Sequence, residues 1–229
     1  IFPNTVFKRM DLDSTRSKNA YEEIIDDFSN RRIDVLIGTQ MVTKGLDFDH
    51  VSMVGILDAD MLLNRPDFRA YERAFQLMSQ VAGRAGRKEK QGKVVIQSAQ
   101  ADHWVLERVM AHDFIGFYEV EIEERERFFY PPFYKIIQLT LKHDKEELVQ
   151  EGAQFLADQL RNVFKERVLG PEFPIIKRIQ NKFLKEIKLK IERSAPDKKV
   201  KAKILQDLDS FYENVRFKGI QISIDVDPM

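Results

Sequence analysis

Residues 79–88 read SQVAGRAGRK, with Arg84 and Arg87 three apart and each directly after a glycine. A guanidinium stays charged at any physiological pH and grips two oxygens at once. Phosphoryl transfer needs such a positive charge against the γ-phosphate, and another domain or subunit can supply it. Glycines at 83 and 86 let the backbone approach a bound phosphate closely. The same residues also describe a basic, glycine-rich turn between a helix and a strand. No phosphate-binding loop of the form GxxxxGK[ST] occurs in the sequence, so the arginines have no phosphate cradle of their own.

A second stretch, Thr39-Gln40-Met41-Val42-Thr43-Lys44-Gly45-Leu46-Asp47, follows the apolar run Asp34–Gly38. Ligands of open parallel sheets sit off the carboxyl ends of strands, which is where this stretch falls. Gly45 permits close backbone approach, and Asp47 is suited to accept from a ribose hydroxyl or to pair with a finger arginine. A third stretch, residues 177–190, holds six basic residues (Lys177, Arg178, Lys182, Lys185, Lys188, Lys190) against Glu186 alone. On a strand Lys188 and Lys190 share one face, opposite Ile187 and Leu189. A row of lysines on an open sheet can track a phosphate backbone, with binding that weakens steeply in salt. It can equally be a solvated face, since lysine also guards sheet edges. Phe183 fits a core position better than a base-stacking platform.

The elements that must hold these residues fall into two rhythms. In the first, short apolar runs (Val6–Leu12, Asp34–Thr39, Val51–Leu57, Lys93–Gln97) alternate with helical stretches (Asn19–Asn30 and Arg69–Val81). Continuous apolar strands between helices predict a parallel α/β sheet covered on both faces. Trp104 to about Glu126 reads as one helix, stopped at Tyr130-Pro131-Pro132-Phe133, where two prolines cannot continue it. We place the domain boundary there, giving 1–130 and 131–229. The aromatic group Phe128, Phe129, Tyr130 and Phe133 reads as a packed joint, and Trp104, the only tryptophan, as ordinary packing.

The second rhythm begins with Ile137, Leu139 and Leu141, a strand with one wet face. A helix follows with Leu148, Gly152, Phe155, Leu156, Gln159 or Leu160, and Val163 on one side. Phe183–Ile191 is a strand with Ile187, Leu189 and Ile191 inward. A second helix carries Val200, Ile204, Leu208, Phe211 and Val215, and Ile220, Ile222, Ile224 and Val226 close the chain with a period of two. This order, β-α-β-β-α-β, predicts a ferredoxin-like domain with helices on one face of a four-stranded sheet.

Composition narrows the class. The chain has 229 residues, 43% hydrophobic, and a formal net charge of +0, so it is a folding sequence of one or two domains. Residues 131–229 carry 19 Lys+Arg against 15 Asp+Glu, and residues 1–130 carry 18 against 22. That asymmetry favours polyanion binding in the second part. There is no cysteine, hence no disulfide and no thiolate metal site. The four histidines show no ligand spacing. No apolar run reaches the ~18–20 residues of a membrane-spanning helix, and no leader is visible, so the expectation is a cytoplasmic protein. The opening Ile1-Phe2-Pro3 reads as a piece of a longer chain cut inside a domain.

Residues 80–87, QxxGRxGR, resemble motif VI of superfamily 2 helicases, and Thr39–Asp47 resembles motif V. The string ADxxLxxPDFRAxERxxQLxxQVAGRAGR, running from Ala59 to Arg87, resembles the PriA family of primosomal replication-restart helicases of bacteria. So do Tyr130-Pro131-Pro132-Phe133 and the closing Asp225-Val226-Asp227-Pro228. The resemblance covers nearly the whole chain. It implies the second RecA-like lobe of an ATP-driven, 3′-to-5′ DNA helicase, followed by a DNA-binding domain. Arg87 would be the finger, with Arg84 and Gln80 at the same phosphate site. Gly45 and Asp47 would touch nucleotide. Thr39, Lys44, Lys182, Lys185, Lys188 and Lys190 would contact DNA. ATP and magnesium would be held with a first lobe not in this sequence, and the family's zinc by cysteines also not in it. Asp58-Ala59-Asp60 is not the magnesium motif, since no phosphate-binding loop precedes it. Implied partners are forked and single-stranded DNA, primosome proteins and single-strand-binding proteins. A non-catalytic nucleic-acid-binding or partner-recruiting module is the alternative.

Overall fold

The computed structural model describes residues 3–11, 13–15, 18–39, 50–83 and 92–228, with Lys18 described for its backbone only. The chain divides into two compact units, Ile1–Glu121 and Ile122–Met229.

In the first unit, β1 (Phe7–Met10) leads to α1 (Lys18–Ser29) and β2 (Val35–Gly38). β1 and β2 pair in parallel, Phe7 opposite Val35 through Met10 opposite Gly38. Then come β3 (Met53–Ile56), α2 (Asp60–Leu63), α3 (Ala70–Ala82) and β4 (Lys93–Ile96). β3 and β4 also pair in parallel. The α/β alternation is therefore present as two small parallel sheets. The burial differs from the expected sheet covered on both faces. Ile37 is 49% exposed, Met53 58% and Val95 43%, so one side of β2, β3 and β4 stays open and the other is half-buried. Two small clusters provide the packing. Met10, Ile24 and Ile33 form one; Ala59, Leu63, Ala74, Phe75, Met78 and the next helices form the other.

The stretch from Trp104 is two helices rather than one: α4 (Trp104–Met110) and α5 (Phe114–Arg127). His112 between them is left-handed, φ 51°, which no helix interior tolerates. Asp113 then restarts the chain, its Oδ1 accepting from the Gly116 amide at 2.8 Å, an N-cap bond. The Gly116 amide holds the Asp113 carboxyl below the ordinary aspartate range. Trp104 stacks on Phe117 at 5.5 Å between ring centres and meets Tyr71 edge-on; its role here is packing.

The second unit is built on β5 (Tyr134–His143), α6 (Glu146–Phe164), β6 (Val168–Glu172), β7 (Arg178–Ile179), β8 (Lys182–Glu192), α7 (Asp197–Glu213) and β9 (Gln221–Val226). The sheet order is β6-β8-β5-β9, with β7 added to the end of β8, and every pairing is antiparallel. Odd-numbered residues of β5 and β8 (Ile137, Leu139, Leu141, Ile187, Leu189, Ile191) point into one core with Val149, Leu156 and Leu160 of α6 and Ile204 and Phe211 of α7. Both helices thus cover the same face. On α6 the buried stripe is Val149, Gly152, Ala153, Leu156, Ala157, Leu160 and Phe164. The expected stripe was rotated: Phe155 is 36% exposed and Val163 52%. Small residues at 153 and 157 let the helix sit close to the sheet, so they take the inner face in place of larger ones. Val215 lies past the end of α7 and is exposed. Ile224 and Val226 are about half exposed because β9 is an edge strand.

The closing Asp225–Pro228 segment has a structural task. Asp227, with φ 50°, accepts the Ile136 amide on Oδ1 at 2.8 Å and donates its own amide to the Ile136 carbonyl at 2.7 Å. One residue thereby satisfies both backbone groups of Ile136 where the β5–β9 ladder ends.

Candidate functional site

Thr39 is the residue directly after β2, at the carboxyl end of a parallel strand, and it is exposed. The segment it opens, residues 40–49, lies outside the described residues, and with it Lys44, Gly45 and Asp47. Gln80 is on the last turn of α3 and is exposed. Gly83 ends that helix, its amide donating to the Ser79 carbonyl at 3.0 Å. Arg84 and Arg87 follow immediately and also lie outside the described residues. The described part of the first unit therefore delivers the entry points of both motifs.

The residues leading into this end explain the Ala59–Arg87 string in physical terms. Asp67 accepts from the Arg69 amide at 3.0 Å and pairs with the Arg73 guanidinium, so it fixes the start of α3. Four apolar residues of α3, among them Ala74, Phe75 and Met78, anchor it in the core. Asp60 accepts from Ser98 Oγ at 2.7 Å and the Ala99 amide at 2.8 Å, tying the start of α2 to the chain just past β4. The Ala99 amide, then the Ser98 hydroxyl, hold its carboxyl below the ordinary aspartate range. Each of its oxygens accepts one protein donor, so Asp60 serves a structural tie between α2 and the chain past β4. Among the described residues no group of three His, Cys, Asp or Glu side chains stands close enough to hold a metal ion.

The basic stretch of the second unit is less uniform than its sequence. Lys182, Lys188 and Lys190 lie on the sheet face away from the helices. Lys185 does not join them. It falls on the odd-numbered, helix-covered side, is 5% exposed, and its Nζ lies 3.7 Å from the centre of the Phe173 ring. Burial pushes its ammonium down from the ordinary lysine range. A side chain so placed does not reach a DNA phosphate, and period two on β8 already puts 185 with 187 and 189.

The outward lysines are engaged as well. Lys188 Nζ donates to Glu172 at 3.1 Å and lies 3.6 Å from Glu186. Burial lowers its affinity for the proton, but the hydrogen bond to Glu172 and the two carboxylates outweigh it and raise its pKa. Lys190 Nζ donates to the Phe128 carbonyl at 2.7 Å and sits 3.7 Å over the Tyr130 ring. Burial and then Lys188 hold it below the ordinary range. Lys182 donates to Gln221 Oε1 at 2.8 Å. Phe128 and Phe129 are half exposed, and Phe129 meets Tyr134 edge-on at 5.0 Å, so this aromatic group packs along its own unit's sheet. Glu186 lies within the stretch 177–190, but Glu172, Phe128 and Tyr130 come from segments that the stretch alone does not reveal.

Residues 3–89 match the helicase conserved C-terminal domain, and residues 126–229 match the primosomal protein N C-terminal domain. The pair defines the class: a helicase C-terminal lobe followed by a primosomal C-terminal domain. The whole chain is 35% identical to the replication restart protein PriA of Bacillus subtilis (strain 168), of which it spans 28%, and 35% identical to that of Synechocystis, of which it spans 27%. It is 34% identical over its whole length to the replication restart protein PriA of Treponema pallidum, spanning 34% of it. The chain belongs to the PriA family and corresponds to its C-terminal region.

Proposed function

We propose that this chain is the second motor lobe and C-terminal domain of an ATP-dependent, 3′-to-5′ DNA helicase that restarts stalled replication forks. The observation that carries the reading is the match of a helicase C-terminal domain and a primosomal C-terminal domain in succession along one chain. The first unit is read as part of a RecA-like lobe, supported by its parallel pairings and by Thr39 at a strand's carboxyl end. The second is read as ferredoxin-like, supported by four strands in the order β6-β8-β5-β9 with both helices on one face.

In this reading ATP binds in a cleft completed by a first lobe elsewhere in a longer polypeptide. Arg87 presents its guanidinium to the γ-phosphate, and Arg84 and Gln80 share that site. Gly45 and Asp47 meet the nucleotide, while Thr39 and Lys44 meet a DNA phosphate. Magnesium, when bound with the nucleotide, would neutralise the phosphate charge, and its ligands are read as belonging to that other lobe. Zinc is assigned to the longer polypeptide too, since this sequence offers no thiolate. The partners are forked and single-stranded DNA, primosome proteins and single-strand-binding proteins, in the cytoplasm. No helix among the described residues is long and apolar enough to cross a membrane.

The test is ATP hydrolysis by the longer polypeptide, with and without single-stranded DNA, before and after Arg87→Ala. DNA-stimulated turnover that falls ~10³-fold or more, as for loss of an arginine finger, with DNA affinity retained, supports the motor. Turnover that survives the substitution returns SQVAGRAGRK to a basic turn and the chain to a binding module.

A further inference from the structure

The outward face of the second unit's sheet has carboxylates beside its central lysine. The start of β8 does not. Between Phe173 and Lys185 the sequence places three basic residues and no acid. Here β7 folds back on β8, Arg178 opposite Phe183 and Ile179 opposite Lys182, and the Leu184 amide donates to the Lys177 carbonyl at 3.0 Å. The two linking residues, Gln180 and Asn181, have φ of 48° and 62°. Positive φ at both central positions is the tight type I′ turn, whose twist matches that of the flanking strands. The ladder of β5 with β8 begins only at His143 opposite Phe183, so the turn extends past the body of the sheet as a short, stiff arm.

Two kinds of side chain sit on this arm. Lys177 and Arg178 are exposed, and their charged ends lie over aromatic rings, 5.2 Å from the centre of Phe173 and 4.9 Å from that of Phe183. Such contacts restrict a long side chain without neutralising it. Among the described residues no carboxylate lies within ion-pair distance of Lys177, Arg178 or Lys182. Ile175, Ile176 and Ile179 are 79%, 62% and 50% exposed, three branched apolar groups beside two exposed cations.

We propose that this arm, rather than the lysine row of the sheet face, is the unit's contact with a DNA junction. Lys177 and Arg178 hold phosphates, and the isoleucines pack on the base pair exposed where duplex gives way to single strand. Cations without a carboxylate partner release counterions from DNA at full value. A branched apolar side chain gains most where a base face has lost its stacking neighbour. A closed duplex flank offers phosphates alone, so the two kinds of side chain separate affinity from junction preference. The proposal rests on the DNA-binding reading above.

Fluorescence anisotropy of this 229-residue chain decides it, with a forked oligonucleotide and a fully paired duplex of the same length as probes. Lys177→Glu with Arg178→Glu is expected to weaken both probes ~10-fold or more and to lower the salt slope by about 2. Ile175→Ser with Ile176→Ser and Ile179→Ser is expected to leave the duplex affinity unchanged and to remove the preference for the fork. All five positions are exposed, and an unchanged thermal melt confirms that each variant folds. If the unaltered chain binds DNA and neither variant changes it, the arm proposal falls while the DNA reading stands, and the arm is left for an acidic protein partner. If the unaltered chain binds neither probe at low salt, the DNA reading of this unit falls and takes the proposal with it.

Discussion

The two units spend similar sequence in opposite ways. The second gathers seventeen buried residues into one core from three strands, two helices and the turns between them. The described part of the first has two clusters, of nine and of three buried residues, while Ile37, Met53 and Val95 stay about half exposed on its strands. The strands of the first unit are the more apolar, VLIG, MVGI and KVVI against YKIIQLTLKH and KFLKEIKLKIE. What differs is that both helices of the second unit lie across its sheet, while the described helices of the first leave these positions exposed. Apolar strand composition is therefore a poor guide to burial until the covering layer is known.

The sharpest break of this comparison comes from Leu189→Ala, which empties a fully buried position at the centre of the second unit. A loss of ~2–5 kcal/mol is expected, read by urea unfolding followed by circular dichroism. Trp104, the only tryptophan, lies in the first unit and reports that unit separately. Its fluorescence transition should come at lower urea and should not move with Leu189→Ala. A single shared transition that moves with the substitution would show that the two cores do not unfold independently.

Next comes Gly170→Ala. Gly170 has φ 87°, sits where the β6 register shifts between Leu169 and Glu172, and an added Cβ would meet the Glu186 carbonyl at 2.6 Å. Strain of about 1–3 kcal/mol is expected in the second unit's transition only. Asp227→Ala removes the side-chain acceptor of the Ile136 amide and should cost about 1 kcal/mol of the same transition.

For the first unit the lever is pH. The folded pKa of Asp60 is depressed by the Ala99 amide and the Ser98 hydroxyl. Its contribution is therefore present above the ordinary aspartate value and is lost as pH falls through the folded value. Asp60→Asn should lower the melting temperature seen by Trp104 at pH 7, and the gap to the unaltered chain should shrink below about pH 4. A gap independent of pH would mean that the carboxylate charge is not what ties α2 to β4. The smallest effect is expected from Lys185→Met: stability within ~1 kcal/mol and unchanged DNA affinity, because the ammonium lies over Phe173 rather than at the surface.

Much of this was legible in the chain because it is local. Strand alternation in β5 and β8 and the amphipathic spacing of α3 are set by the geometry of single elements. The Arg84–Arg87 spacing and the string leading into it marked the helicase lobe without any tertiary information. Local signals were also misread: His112-Asp113 was enough to divide α4 from α5, and the parity of Lys185 was enough to place it inward.

The rest was decided by partners distant in sequence. Glu172 reaches Lys188 from another strand, and Phe128 reaches Lys190 from 62 residues away. The edge position of β9 leaves Ile224 and Val226 exposed despite their clean alternation. Residue types and periods state what each segment is able to bury or bind. Which charges remain free to do so depends on the groups that folding brings beside them, and in this chain that difference separates Lys188, held by Glu172 and Glu186, from Lys177 and Arg178 of the β7–β8 arm, which among the described residues have aromatic rings and no carboxylate beside them.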